Sequence, residues 1–187
     1  MFGSFYLIVA GLWVAWVVTW HIAALWRDKP TVKAPRRSYR LHVVIVALGV
    51  ALTFGTFPRF EHPLWQVTPA LGWAMIVLAL AGIAFAWWAR VHLGRLWSGG
   101  IERMETHRVV DSGPYALVRH PIYTGLIAAL VAAAVVHGTP LALAGPMLFA
   151  LGFGLKAKAE ERFLDAEIGG YEEYRRRVPM LVPFAPR

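Results

Sequence analysis

Residues 113–136 read Gly-Pro-Tyr-Ala-Leu-Val-Arg-His-Pro-Ile-Tyr-Thr-Gly-Leu-Ile-Ala-Ala-Leu-Val-Ala-Ala-Ala-Val-Val. Tyr115, Arg119 and His120 stand directly before Pro121 and an apolar run that continues to Val136. Proline suits the first turn of a helix, where its missing N–H costs nothing, so a helix is predicted to start at Pro121 with His120 as its boundary residue. A cation and a histidine at the mouth of an apolar helix are hard to explain by packing alone. The stretch is therefore the candidate active site.

The surrounding chain of 187 residues is 58% hydrophobic and 16% charged, with 9 Trp. That balance is too apolar for a soluble domain of this size, and the expected fold class is an all-α integral membrane protein. Apolar runs at residues 5–26, 41–57, 67–89, 121–136 and 141–155 predict about five transmembrane helices. The first and third exceed the roughly 20 residues that cross a hydrocarbon core, whereas the last two sit at or below a lower limit of about 17 and read as a short helical hairpin. The first run lacks a basic leader and is too long for a signal-peptide core, so it reads as a retained anchor. No internal repeat or second domain is apparent. Residues 1–187 are expected to form a single membrane domain, with three N-terminal spans in 1–89 and a catalytic core in 90–187 that comprises hairpin 121–155 and a C-terminal tail.

The net charge of +8 raises the question of nucleic acid, but its distribution argues against that partner. Six basic residues fall in 27–40, five Arg in 90–119 and seven basic residues after 155, while the intervening connections carry no net charge. Basic segments thus alternate with apolar runs, and the positive-inside rule places all three in the cytoplasm and the N-terminus outside. The absence of Cys excludes disulfides, thiolate metal sites and cysteine nucleophiles. The seven His are scattered, with no metal-binding constellation, and His21, His42 and His62 read as core or interface groups.

A helix starting at Pro121 would turn its N-terminus, with partial positive charge, toward Arg119, an anion-binding arrangement. The returning helix would end in the same compartment carrying Lys156, Lys158, Glu160 and Glu161. With the turn centred near Gly138 and Thr139, mirror counting sets residue 119 level with about 158 and residue 117 with about 160. Arg119 and the helix end suit a carboxylate, and a glutamate suits an ammonium or hydroxyl groups, so a ligand with amino and carboxylate groups and a sulfonium would fit. Glu160 and Glu161 point about 100° apart on a helix, so at most one is expected to face the site squarely. Two helix ends that merely satisfy one another remain the alternative reading.

The pattern Arg-His-Pro-x-Tyr-x-Gly at 119–125, the Glu160-Glu161 pair, Tyr171 and Tyr174, and the proline-punctuated ending at 178–184 resemble the isoprenylcysteine carboxyl methyltransferase (ICMT) family. Phospholipid methyltransferases share the same core. The resemblance covers roughly residues 90–184 and implies a helical membrane protein whose cytosol-facing site binds S-adenosyl-L-methionine. Carried over by position, it implies a cofactor site of His107, Arg108, Val109, Val110, Tyr115, His120, Pro121, Ile122, Tyr123, Glu160 and Glu161. It also implies that Lys156 stands where eukaryotic members have a substrate-contacting basic residue. For the arginine those members carry on the preceding helix, Arg90 and Arg95 are the nearest candidates, and His92 and Trp97 are candidates for the pocket lining. The compact size is similar to prokaryotic members, which points to a bacterial inner membrane.

Methyl transfer from a sulfonium is an in-line displacement in which the enzyme mainly aligns reactants and excludes water. A carboxylate acceptor, with an ordinary pKa of about 4, needs a cation to orient it and no general base. An amine acceptor must first lose a proton. Arg119 and Lys156, taken as the catalytic pair, favour O-methylation of a carboxylate on a membrane lipid or lipidated small molecule entering from the bilayer. Glu161, His92 and His107 keep phospholipid or small-amine N-methylation open. Two further classes compete: an NADPH-dependent sterol-type membrane reductase, which shares part of the Arg-His-Pro segment, and a non-enzymatic membrane scaffold.

Overall fold

Helix formation follows the apolar runs, and proline sets where three of the helices begin. The computed structural model describes residues 3–34, 40–60, 62–104 and 108–185. In chain order these form α1 (Ser4–Ala23), β1 (Pro30–Lys33), α2 (Arg40–Phe54), α3 (Pro69–Leu93), β2 (Glu102–Met104), α4 (Pro121–His137), α5 (Pro140–Glu167) and α6 (Tyr171–Arg177). Short 3₁₀ turns at Gly94–Leu96 and Gly113–Ala116 punctuate the connection between α3 and α4. Each of α3, α4 and α5 has proline in its first turn. Thr68 and Thr139 cap α3 and α5 by accepting from the N–H of Leu71 and Ala142, both at 3.3 Å, a device worth about 1 kcal/mol each.

Among the described residues three helices are long and apolar enough to cross a membrane, namely α1, α5 and the stretch Pro69–Leu96, whereas α2 and α4 are shorter. These fit an integral membrane protein. The packing agrees, because the interior is built of small residues and the outside of large ones. Ala79, Ala86, Ala129, Ala132 and Ala133 are fully buried, while Leu7, Val14, Val18, Val44, Trp73 and Val77 are exposed. In lipid no hydrophobic force drives helices together, so close approach through small residues must hold the bundle.

Two crossings show this directly. α3 packs chiefly on α4 and α2 chiefly on α5. At the first crossing a methyl on Gly125 would lie 2.9 Å from the Ala86 nitrogen, and at the second a methyl on Gly49 would lie 2.7 Å from the Gly145 carbonyl oxygen. Neither contact can be made with a side chain in place.

The expected short hairpin is corrected. α4 has 17 residues, but α5 runs 28, well past the end of its apolar stretch at residue 155. The segment Lys-Ala-Lys-Ala-Glu-Glu-Arg that follows is made of strong helix formers, so the helix outlasts the hydrophobicity. The short member is instead α2, whose 15 residues reach only about 22 Å. The all-α class holds, with one addition, a short antiparallel ribbon in which β1 pairs with β2, Lys33 opposite Glu102 and Val32 opposite Arg103. It joins the connection after α1 to the connection after α3, and Ala34 N–H extends it by donating to the Ile101 carbonyl at 2.9 Å.

The far end of the bundle is closed by its own contacts. Leu64 N–H donates to the Gly138 carbonyl at 2.8 Å, Trp65 Nε1 to Val135 at 3.2 Å, and His137 Nδ1 to Thr53 at 2.7 Å. The polar connections and the C-terminal tail gather at the opposite end.

Candidate active site

The residue before α4 decides the geometry of that end. His120 sits at φ −124° and ψ 62° and makes no side-chain cap, unlike Thr68 and Thr139. Its ring instead stacks on Tyr123 at 5.2 Å between centroids with 3° between planes, and its Nε2 lies 3.1 Å from Glu161 Oε1. Tyr123 in turn stacks on Phe153 of α5 at 4.3 Å. Its hydroxyl donates to Glu160 Oε2 at 2.7 Å.

Arg119 is wholly engaged. Nε and Nη2 donate to the two oxygens of Glu161 at 2.7 and 3.1 Å, while Nη1 donates to the carbonyls of Arg175 and Val178. Both partners of this ion pair are only 8% exposed. The backbone follows suit, since the N–H groups of Arg119 and His120 donate to Pro179 and Met180 at 2.9 and 3.1 Å. Thr124 Oγ1 donates to the Leu181 carbonyl at 2.6 Å. The tail is thus stitched to the start of α4, and the Tyr174 hydroxyl, donating to the Tyr115 carbonyl at 2.7 Å, secures it from the other side. Burial pushes the phenols of Tyr115, Tyr171 and Tyr174 well above their ordinary range, so all three remain neutral donors.

Lys156, buried one turn before Glu160, donates to the Gly99 carbonyl at 3.0 Å and lies 3.5 Å from Glu160 Oε1 and 5.4 Å from the centre of the Tyr123 ring. These groups border a cavity of about 350 Å³, within the range of small-molecule sites. Arg108, Val109, Val110, Tyr115 and the whole segment from Arg119 to Tyr123 line it, together with Lys156 and Glu160. So do residues deeper in the bundle, Trp16 and Trp20 of α1, Leu126 of α4 and Phe153 of α5.

Most sequence-nominated residues therefore converge on one cavity, with specific differences. Glu161 is outside its wall, occupied by Arg119 and His120, and Glu160, 16% exposed, is the glutamate that faces inward. Both acids nevertheless serve the cluster, because the His120 ring lies between them, Nε2 3.1 Å from Glu161 and Nδ1 3.6 Å from Glu160, while the Tyr123 hydroxyl holds Glu160. Residue 119 meets 161 rather than 158, since Arg119 and His120 precede the helix, His120 with non-helical dihedrals, instead of continuing its rise. Trp97 lines the cavity but His92 does not. His92 is exposed, with Nε2 3.0 Å from Ser112 Oγ. Arg90 ties the end of α1 to the end of its own helix, donating to the carbonyls of Ala23, Trp26 and Gly94 at 2.7 Å each, and Arg95 pairs with Asp28 at 2.6 Å. His107 lies outside the described residues. Sequence reasoning missed Trp16, Trp20, Phe153 and Glu102, because nothing local distinguishes them from membrane anchors, core aromatics or a surface acid. Among the described residues no cluster of His, Asp or Glu could hold a metal.

The chain is similar to known proteins over much of its length. The profile of the Isoprenylcysteine carboxyl methyltransferase (ICMT) family matches residues 74–166. Protein-S-isoprenylcysteine O-methyltransferase B of Arabidopsis thaliana is 30% identical over 79% of this chain and 75% of its own length. Methanethiol S-methyltransferase 2 of Bradyrhizobium diazoefficiens is 33% identical over 76% of this chain and 58% of its own. Cobalt-zinc-cadmium resistance protein CzcN of Cupriavidus metallidurans is 30% identical over 75% of this chain and 61% of its own. The chain thus spans about three fifths of the length of the last two relatives.

Proposed function

This chain belongs to the isoprenylcysteine carboxyl methyltransferase family, a family of methyltransferases, and on that premise we propose that it methylates a small anionic head carried on an apolar body, using S-adenosyl-L-methionine. The observation that carries the reading is the polarity gradient of one cavity. Tyr123, Lys156 and Glu160 border its site end, and Trp16, Leu126 and Phe153, each further along its helix toward the middle of the bundle, border the rest. A charged donor and a greasy acceptor need that combination.

The residues present fit the donor. Glu160, oriented by the Tyr123 hydroxyl, suits its ammonium. The start of α4, left without a side-chain cap, offers N–H groups to its carboxylate. When bound, the donor supplies a methyl group on a positively charged sulfur. Lys156 is the cation assigned to the acceptor, because the Arg119 guanidinium is bound to Glu161 and the tail. Arg119 is then a positioning residue that fixes the tail and, through Glu161, the His120 ring. A carboxylate held near Lys156 needs no base. A thiol acceptor, favoured by the resemblance to methanethiol S-methyltransferase 2, would gain from the same lysine, since a free thiol with pKa about 8.5 must ionise to react.

The test is methyl transfer by the purified protein in detergent, with labelled donor and three acceptors offered in parallel: a prenylcysteine carboxylate, a long-chain alkanethiol and phosphatidylethanolamine. Base-labile label on the first, or thioether product from the second, is expected. Label on phosphatidylethanolamine alone, or no turnover, would overturn the reading.

The charge pattern supports an N-terminus outside and a cytoplasmic site in a bacterial inner membrane, with the whole chain acting as one membrane unit. The chain contains no Cys, so single cysteines report this cleanly. A membrane-impermeant maleimide applied to intact cells should label Leu64→Cys and spare Arg95→Cys, and the reverse pattern would invert the topology.

A further inference from the structure

The cavity has a second inward-facing acid that the reading above does not use. Glu102 lines it, yet its side chain is only 12% exposed. It begins β2, so its backbone is fixed by pairing with Lys33 of β1. Its carboxylate is oriented from one side, where Oε2 accepts from Ser98 Oγ at 2.6 Å and from Arg27 Nη1 at 3.4 Å. Among the described residues Oε1 accepts no hydrogen bond and pairs with Lys33 Nζ at 3.7 Å, beyond hydrogen-bonding distance. A carboxylate can accept about four hydrogen bonds, so this one has acceptor capacity left over.

Its position relative to the other acid is informative. Lys156 bonds the carbonyl of Gly99, next to Ser98, and also sits beside Glu160. The two carboxylates therefore stand on walls that meet at one lysine. Glu160 belongs to the wall of Tyr123 and the start of α4. Glu102 belongs to the wall of Trp97, whose ring meets that of Trp20 edge-on at 5.5 Å, both lining the cavity. Flat indole surfaces suit a planar base, and an acceptor-only group beside them suits vicinal hydroxyls, which donate in parallel to a carboxylate.

We propose that Glu102 accepts hydrogen bonds from the ribose hydroxyls of an adenosyl ligand, with Trp97 and Trp20 beside the base, and that the β1–β2 ribbon exists to hold this carboxylate in place. The inference rests on the adenosyl-donor reading and assigns its nucleoside half. Arg27 and Lys33, which appear in the sequence only as part of a basic connection, become the groups that orient the acid.

Equilibrium binding of S-adenosylhomocysteine and its 2′-deoxy and 3′-deoxy analogues to the detergent-solubilised full chain tests it. Wild type should bind at least one deoxy analogue about tenfold more weakly than the parent, the scale of one hydrogen bond to a charged group. In Glu102→Leu the parent should weaken about tenfold and the gap between parent and deoxy ligand should shrink below about threefold, with Glu102→Gln in between. Wild type that binds parent and analogues equally would overturn the proposal even if the variants do not fold, while leaving the donor reading intact. An undiminished gap in Glu102→Leu would also overturn it, because a merely structural acid would weaken all three ligands alike. Failure of wild type to bind S-adenosylhomocysteine at all would remove the donor reading, and this proposal with it.

Discussion

The start of α5 and the start of α4 use the same backbone device for opposite ends. At Thr139-Pro140 the hydroxyl caps the helix, and the residue is buried against a closed far end. At His120-Pro121 the same proline starts the helix, but the preceding side chain turns away to stack on Tyr123 and meet Glu161. One position uses its side chain for local stability. The other leaves the helix terminus open to the cavity and obtains stability from elsewhere, chiefly from Arg119 and the tail bound to it. The difference teaches that a helix end becomes a site when its cap is moved to tertiary contacts.

The most severe way to break the contrast is to remove those contacts. Arg119→Ala leaves Glu161 buried without its main partner and releases two side-chain bonds to the tail, and losing one member of a buried ion pair costs about 3–5 kcal/mol. Thermal unfolding in detergent should show a drop of that order, with methyl transfer at background while the protein still inserts in membranes. Unchanged turnover would take Arg119 out of the function. A subtler change converts one helix start into the other. His120→Thr should supply the missing cap, worth about 1 kcal/mol, and so keep the unfolding temperature close to wild type despite the lost ring contacts. Turnover should nevertheless fall about 100-fold, equivalent to about 2.7 kcal/mol of barrier. A cap-restored variant that stays active would mean the open terminus is not used. The mildest test is Thr139→Ala, which should lower stability by about 1 kcal/mol and leave the KM for the methyl donor unchanged. A shift in that KM would couple the far end to the site.

Much of the site could be read in the chain because its residues are adjacent in sequence. Residues 119–123 form a continuous motif, and the two glutamates return opposite them through a turn whose position, Gly138 and Thr139, is plain from a left-handed glycine and a threonine-proline pair. The wall opposite was not legible. Trp16 and Trp20 look like any membrane aromatic, and Glu102 looks like any surface acid, until α1 and the β1–β2 ribbon bring them to the cavity. The length of α5 was misjudged for a related reason, since hydropathy measures where a helix can meet lipid and not where its hydrogen bonding stops.

By itself the sequence determined the apolar helices, the proline-set start of α4 and the residues of the Arg-His-Pro-x-Tyr motif, because hydropathy, proline and local charge act over a few residues. Tertiary structure alone decided which glutamate faces the cavity, that Arg119 clamps the tail, and that a ribbon 70 residues apart in sequence delivers a second carboxylate. Those outcomes depend on packing through glycine crossings and on competition for the same hydrogen-bond partners, and both are settled only when distant segments meet.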